Sequence, residues 1–356
     1  MKAVAVIPGQ TDSVRIVNVD KPEISAGEVL VEVIRVGVDG TDIEINEGLY
    51  GEAPEGDAFL IIGHESLGIV REVGDGISNF KKGDYVVATV RRPDDCLNCR
   101  AGEYDMCLTG DYKERGIKGL HGFMSEFYKE SHEFLVKVPE KISELGVLLE
   151  PLSIVEKAVS QAYKIQERLE WQPKTALVTG AGAIGILACL VLRNMALDVY
   201  VVARSSAEGN PKADLIRECG ATYISSSGQP ISSLKLGNID LLVEATGSSA
   251  VVFDAIKVLG TNGVAALTSI TATEDVHEVC AACINLDMVL NNKVVFGSVN
   301  ANRRHFEMGL VHLPDFERKW PGLLGKIITR RVPFRQFREA LERRKGDIKI
   351  VIEVQM

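Results

Sequence analysis

Thr175-Ala-Leu-Val-Thr-Gly180-Ala-Gly182-Ala-Ile-Gly185 decides the architecture of the second half of the chain. A short apolar strand runs into a Gly-x-Gly-x-x-Gly turn, and an apolar helical pattern follows over residues 184–193. In such a turn Gly180 permits the tight bend, Gly182 lets the backbone approach a pyrophosphate, and Gly185 lets the helix pack closely on the sheet. The helix start, at Ala183 and Ile184, then turns its free amides toward the phosphates. Three spaced glycines alone are a weak signal, because glycine-rich turns occur in many α/β domains. The flanks carry the reading. Strands are predicted at 174–179, 197–203, 241–245 and 263–267, with a candidate fifth at 294–297, and helices at 212–219 and 249–259. Strand and helix alternating in this way predict a parallel sheet with helices on both faces, built to hold a dinucleotide.

The second strand bears on which dinucleotide. An NAD site places Asp or Glu about 20 residues beyond the glycines, on the ribose 2′-hydroxyl. Here the strand ends Val202-Ala203-Arg204-Ser205-Ser206, with no carboxylate. Arg204 offers a fork of donors for a 2′-phosphate and Ser205 a hydroxyl, so NADP is preferred. NAD remains usable, since nothing there repels a free ribose. The plainer alternative is that Arg204 is a solvated arginine at a strand end.

With 356 residues the chain exceeds what one hydrophobic core usually fills, and two domains are expected. Its net charge of -9, from 49 acidic and 40 basic residues, argues against a general nucleic-acid binder. No uncharged apolar stretch reaches the roughly 18 residues of a membrane span, and residues 1–8 read as a first strand rather than a signal peptide. Seven cysteines suit a reduced, cytoplasmic compartment. Three of them, Cys96, Cys99 and Cys107, crowd into 12 residues, which reads as metal ligation before disulfide chemistry.

The first 150 residues have another texture. Val/Ile-rich runs at 28–36, 68–73 and 84–90, broken by Gly and Asp, predict a strand-rich, partly barrel-like region. Regular patterning stops between Cys96 and Phe123, where so long a loop needs a function or a metal to hold it. A helical stretch at 335–343 and a strand at 348–354 close the chain. That strand is expected to return to the first domain, making the nucleotide domain an insertion. Gly63-His64-Glu65 follows the apolar run 59–62. An imidazole there, beside a carboxylate, suits a zinc ligand with a supporting partner; the alternative is a satisfied histidine at a turn.

With these residues in view, the chain resembles the zinc-containing medium-chain alcohol dehydrogenases, and within them the archaeal glucose 1-dehydrogenase family. The resemblance covers nearly the whole length. Gly63-His64-Glu65, Gly83-Asp84-Tyr85-Val86, the cysteine lobe and the glycine turn carry the superfamily. The sugar branch is carried by Val90-Arg91-Arg92-Pro93, Glu114-Arg115-Gly116-Ile117, Gly119-Leu120-His121-Gly122-Phe123, Leu149-Glu150-Pro151-Leu152-Ser153 and Gly297-Ser298-Val299-Asn300. It implies an α/β protein with a GroES-like, mostly-β catalytic domain, residues 1–152 with 307–356. A Rossmann-type parallel-sheet domain would occupy 153–306.

In that superfamily the first catalytic zinc ligand is a cysteine, followed two residues on by a threonine or serine. The matching run here is Val38-Asp39-Gly40-Thr41-Asp42, so Asp39 stands in the cysteine's place and Thr41 in the hydroxyl's. The implied zinc site is Asp39, His64 and Glu150, with Glu65 able to swing in. An oxygen ligand is harder than a thiolate, so zinc should exchange more readily and manganese or magnesium compete. Without the resemblance Asp39 reads as a turn aspartate. The superfamily's structural zinc lobe has four cysteines; Cys96, Cys99 and Cys107 fill three places and Pro93 the other. Either Asp94 or Asp95 completes a tetrahedral site, or the lobe is metal-free.

The implied reaction is oxidation of an aldose at C1, D-glucose and also D-galactose, to the aldono-1,5-lactone, with hydride passing to NADP+ or NAD+. Zinc lowers the pKa of the C1 hydroxyl, and Thr41 begins the proton relay. Glu114, Asn300 and His305 are the implied sugar contacts, beside Thr41, Glu65, Thr89 and Glu150; Asn300 also serves the cofactor. Thr89 stands where other members place an asparagine, so discrimination between epimers is expected to differ. His121 either joins the site or only shapes its loop. The implied assembly is a homodimer or homotetramer, with a strand near Val294 extending a sheet across an interface. Two other readings compete: a polyol or secondary-alcohol dehydrogenase using the same zinc and cofactor, and a non-enzymatic cofactor-binding protein that has lost its metal.

Overall fold

The computed structural model describes residues 1–271 and 276–355. The chain forms two compact units, one of Met1–Ser153, Asn300–Pro314 and Ile328–Met356, the other of Ile154–Val299 and Asp315–Ile327. Residues 315–327 therefore lie with the second unit, outside the boundary expected from sequence. Contacts within that unit hold them: Lys319 donates to the Asn194 carbonyl and Lys326 pairs with Glu218.

The first unit is organised by the strand Glu28–Val38, whose run of valines suits a pleated, buried surface. It pairs antiparallel with Glu65–Val73, Phe127–Ser131 and Lys349–Glu353 in a seven-stranded sheet. The last of these is the terminal strand read from sequence. Val31, Val33, Val36, Leu60, Ile62, Phe123, Met124 and Ile352 belong to one fully buried core. Where the strand ends, Asp39 caps the short helix Gly40–Asn46.

The second unit is a six-stranded parallel sheet in the spatial order Thr222–Ser225, Asp198–Ala203, Thr175–Thr179, Ile239–Glu244, Leu259–Leu267, Val294–Gly297. Every neighbouring pair is parallel. The order reverses beside Thr175–Thr179, the switch point at which such sheets bind nucleotides. The glycine turn lies there. Gly180 sits at φ +97°, and a Cβ on it would come 2.6 Å from the Ala245 carbonyl oxygen; one on Gly185 would lie 2.0 Å from the carbonyl oxygen of Gly180.

Several local readings are corrected. The stretch from Cys96 to Phe123 is not structureless: it holds the short helix Leu97–Arg100, a 3-10 turn at Tyr104–Met106, and the strand Lys113–Arg115, which pairs with Arg91–Arg92 on one side and Gly119–Leu120 on the other. The helix expected to reach Leu259 ends at Ile256, because Leu259 already begins a nine-residue strand. Cys280 and Cys283 are joined in a disulfide. No helix among the described residues is long and apolar enough to cross a membrane.

Gly180→Ala should destabilise the second unit by about 1–3 kcal/mol, the usual range for a residue forced into a sparsely populated backbone region. Denaturant unfolding of the variant beside the parent checks this.

Candidate functional site

Strand end and helix start together present Asp39. Its Oδ1 accepts the amides of Thr41 at 2.8 Å and Asp42 at 3.4 Å, while Asp42 Oδ2 accepts the Asp39 amide at 3.2 Å, a reciprocal capping box. The other oxygen of Asp42 accepts the Gly63 amide at 3.0 Å, tying the helix start to the turn that carries His64. Gly63, at φ +88°, has no room for a side chain against Met124 and Val36.

The result is a pocket of ionisable groups. Asp39, Asp42 and His64 bring ligand-type atoms within 4.8 Å of one another; so do His64, Glu65 and Glu150. His64 belongs to both sets, its Nε2 3.6 Å from Asp39 Oδ2, and its Nδ1 is buried with no hydrogen-bond partner among the described residues. Glu65 is fastened by Lys349, which is itself buried and donates to Glu65 Oε1 at 2.5 Å and to the Val38 carbonyl at 3.2 Å. Burial pulls the His64 pKa down, but the carboxylates, Asp39 foremost, outweigh it and raise it to about 9. Burial pushes Glu150 up to about 8 and Asp42 up to about 7. Asp39 stays below the usual range despite burial, because His64 and Lys349 face it. Buried Asp42, Glu65 and Glu150 with the half-buried Asp39, in two groups that share an imidazole with an orphaned nitrogen, offer hard oxygen donors that fit a divalent cation such as zinc.

Sequence reasoning missed Asp42 and Lys349. The Asp-x-x-Asp spacing of a capping box could have revealed the first. Lys349 carries no local signal, being 284 residues from its partner Glu65.

Glu114 lies on the short strand Lys113–Arg115 and is buried. Its Oε1 accepts Arg91 Nε at 3.1 Å, Arg91 Nη2 at 2.9 Å and Asn300 Nδ2 at 2.9 Å. Arg115, its neighbour in sequence, pairs with Glu130, which also holds Arg92. Thr89 and His305 have partners within the protein. The Thr89 hydroxyl donates to the Phe134 carbonyl and accepts from Arg92, and His305 is buried with Nδ1 accepting the Asn302 amide. His121 shapes its loop: it stacks on Phe59, accepts the Ile61 amide and pairs with Asp57. Thr41 Oγ1 lies 3.3 Å from Asp39 Oδ2.

In the cysteine lobe, Asp94, Cys96, Cys99 and Cys107 bring their ligand atoms within 4.8 Å, a Cys3Asp set with the count of a tetrahedral site. Cys96 Sγ accepts the Cys99 and Leu108 amides. Asp95 is exposed and outside the set. In the second unit, the turn Gly180–Gly185 opens the helix Ala183–Asn194, and Arg204 and Ser205 are exposed just past the strand Asp198–Ala203.

Fold and site define a zinc-containing medium-chain alcohol dehydrogenase. Residues 25–140 match the family described as alcohol dehydrogenase GroES-like domain, and residues 143–354 the family described as glucose dehydrogenase C-terminus. Among relatives, a glucose 1-dehydrogenase of Methanocella arvoryzae is 49% identical over 99% of both chains, and that of Thermoproteus tenax 41% identical over 100% of both. A solved structure of Haloferax mediterranei glucose dehydrogenase, in complex with NADP, Zn and gluconolactone, superposes with a TM-score of 0.92 at 36% identity, covering 100% of both chains. The chain belongs to the archaeal glucose 1-dehydrogenase family.

Lys349→Met leaves Glu65 buried without its counter-charge and should cost about 3–5 kcal/mol. Adding Glu65→Gln should recover part of that loss, measured by denaturant unfolding. Metal analysis of purified protein should find two zinc ions per chain, and one in Cys107→Ser.

Proposed function

We propose that this protein oxidises D-glucose, and D-galactose as a second substrate, at C1 to the aldono-1,5-lactone, delivering the hydride to NADP+ in preference to NAD+. The observation that carries the proposal is buried His64 shared between two ligand groups, one with Asp39 and Asp42 and one with Glu65 and Glu150, in a chain related over its full length to glucose 1-dehydrogenases. Asp39, His64 and Glu150 would hold the zinc, with Glu65 kept in reserve by Lys349. Zinc, when bound, supplies a Lewis acid that lowers the pKa of the C1 hydroxyl. NADP, when bound, supplies the hydride acceptor.

The chain's own residues do the rest. Thr41 Oγ1, within 3.3 Å of Asp39 Oδ2, takes the proton leaving the C1 hydroxyl and passes it outward. Glu114 accepts hydrogen bonds from sugar hydroxyls, with Arg91 and Asn300 fixing its carboxylate in one orientation. Gly182, Ala183 and Ile184 receive the pyrophosphate, and Arg204 with Ser205 the 2′-phosphate. The active form is a homodimer or homotetramer, a reading supported by the edge strand Val294–Gly297, which pairs on one side only among the described residues. The protein acts in the cytoplasm.

A cofactor-reduction assay at about 340 nm, the absorption of reduced nicotinamide, offers glucose, galactose, xylose, sorbitol and ethanol with NADP+ and with NAD+. Activity on glucose and galactose with NADP+, abolished by chelation and in Asp39→Ala, is the expected result. Activity on sorbitol or ethanol alone would make the protein a polyol or secondary-alcohol dehydrogenase. Aldose oxidation that survives both treatments would remove the metal site from the chemistry. Arg204→Ala should raise KM for NADP+ by roughly 10- to 100-fold, the loss of one charge-assisted contact, with KM for NAD+ little changed.

A further inference from the structure

The second unit holds a cysteine pair that the dehydrogenase chemistry does not use. Cys280-Ala281-Ala282-Cys283 opens the ten-residue helix Ala281–Leu290, with Cys280 at its N-cap and the two sulfurs joined in a disulfide. Both cysteines are exposed. The other five are free thiols, three in the lobe with Asp94, and Cys189 and Cys219 buried with their sulfurs 3.4 Å apart.

We propose that Cys280 and Cys283 form a reversible dithiol–disulfide site that exchanges with low-molecular-mass thiols. A purely structural role is poorly served by this bond. It joins residues three apart in the first turn of one helix, so it fastens no two elements, and closing so short a loop constrains the unfolded chain least. The helix start, by contrast, suits exchange. The Cys283 amide donates to Cys280 Sγ at 3.3 Å, and the positive end of the helix dipole favours negative charge on that sulfur. A stabilised thiolate is the better leaving group when the bond opens. Exposure supplies the access that an attacking thiolate needs.

The exchange balances. A thiolate attacks one sulfur of the pair, the sulfur–sulfur bond breaks, and the other cysteine leaves as a thiolate that takes a proton from water. A second thiolate attacks the mixed disulfide, releasing the remaining protein thiolate and a small-molecule disulfide. Two thiols are oxidised, and the protein gains two electrons and two protons.

The test equilibrates the whole native protein in glutathione buffers of graded reduced-to-oxidised ratio, traps free thiols by alkylation, and maps them by peptide mass spectrometry. The 280–283 peptide should pass from disulfide to dithiol and back as the ratio is raised and lowered, while Cys189 and Cys219 serve as buried references. After reduction, Cys280 in Cys283→Ser should be alkylated about tenfold faster than Cys283 in Cys280→Ser, the effect of one unit of thiol pKa on thiolate fraction. A pair that stays bonded in excess reduced glutathione is a fixed staple, and a pair that stays reduced in excess oxidised glutathione does not form the bond; either outcome overturns the proposal. Equal alkylation rates would overturn the role given to the helix start.

Discussion

The first unit is built around a charge problem: three buried carboxylates, a buried imidazole and a buried lysine lie beside the half-buried Asp39. Like charges that close in a low dielectric repel strongly, and each ion has also lost its hydration. Lys349 settles part of the imbalance by holding Glu65. Burial, more than like charge, holds the Glu150 and Asp42 carboxyls above their usual range. A core of this kind trades stability for affinity toward a metal.

The backbone around that region is correspondingly over-determined. Asp39 is fixed from both ends, by the pairing of Glu28–Val38 behind it and by the capping box in front. Asp42 ties two loops together with the two oxygens of one side chain. The Glu114 carboxylate is gripped by an arginine that also lies over the Tyr112 ring, 3.6 Å from its centroid. Side chains held in this way pay their ordering entropy on folding, so little more is lost when a ligand arrives.

Legibility in the sequence followed the range of the interactions. The parallel sheet was readable because the glycine turn, its strand and its helix are consecutive, and each glycine answers a local steric demand. His64 and Glu65 were readable for the same reason. Asp39 needed a family resemblance, since an aspartate at a strand end has no local mark of a ligand. Glu114 and Arg115 show the limit from the other side, since neither finds its partner next to it in sequence. Adjacent residues on a strand point to opposite faces, so Glu114 turns to Arg91 on the neighbouring strand while Arg115 turns to Glu130. Thr89 and His305 have partners three residues away, Arg92 and the Asn302 amide, but no motif marks such contacts.

The strand Lys349–Glu353 has a bearing on how the chain is made. Its partner Glu28–Val38 leaves the ribosome some three hundred residues earlier, and Arg35 finds Glu353 only across a separation of 318 residues. During synthesis the parallel-sheet unit, nearly continuous in sequence, can fold while the first unit still presents an unpaired, valine-rich edge and a Glu65 without its lysine. Long-range pairing of this kind is slow and leaves such edges open to association with other chains. The last few residues thus act as a latch, and a ribosome that stalls shortly before them releases a protein with one finished half and one open sheet.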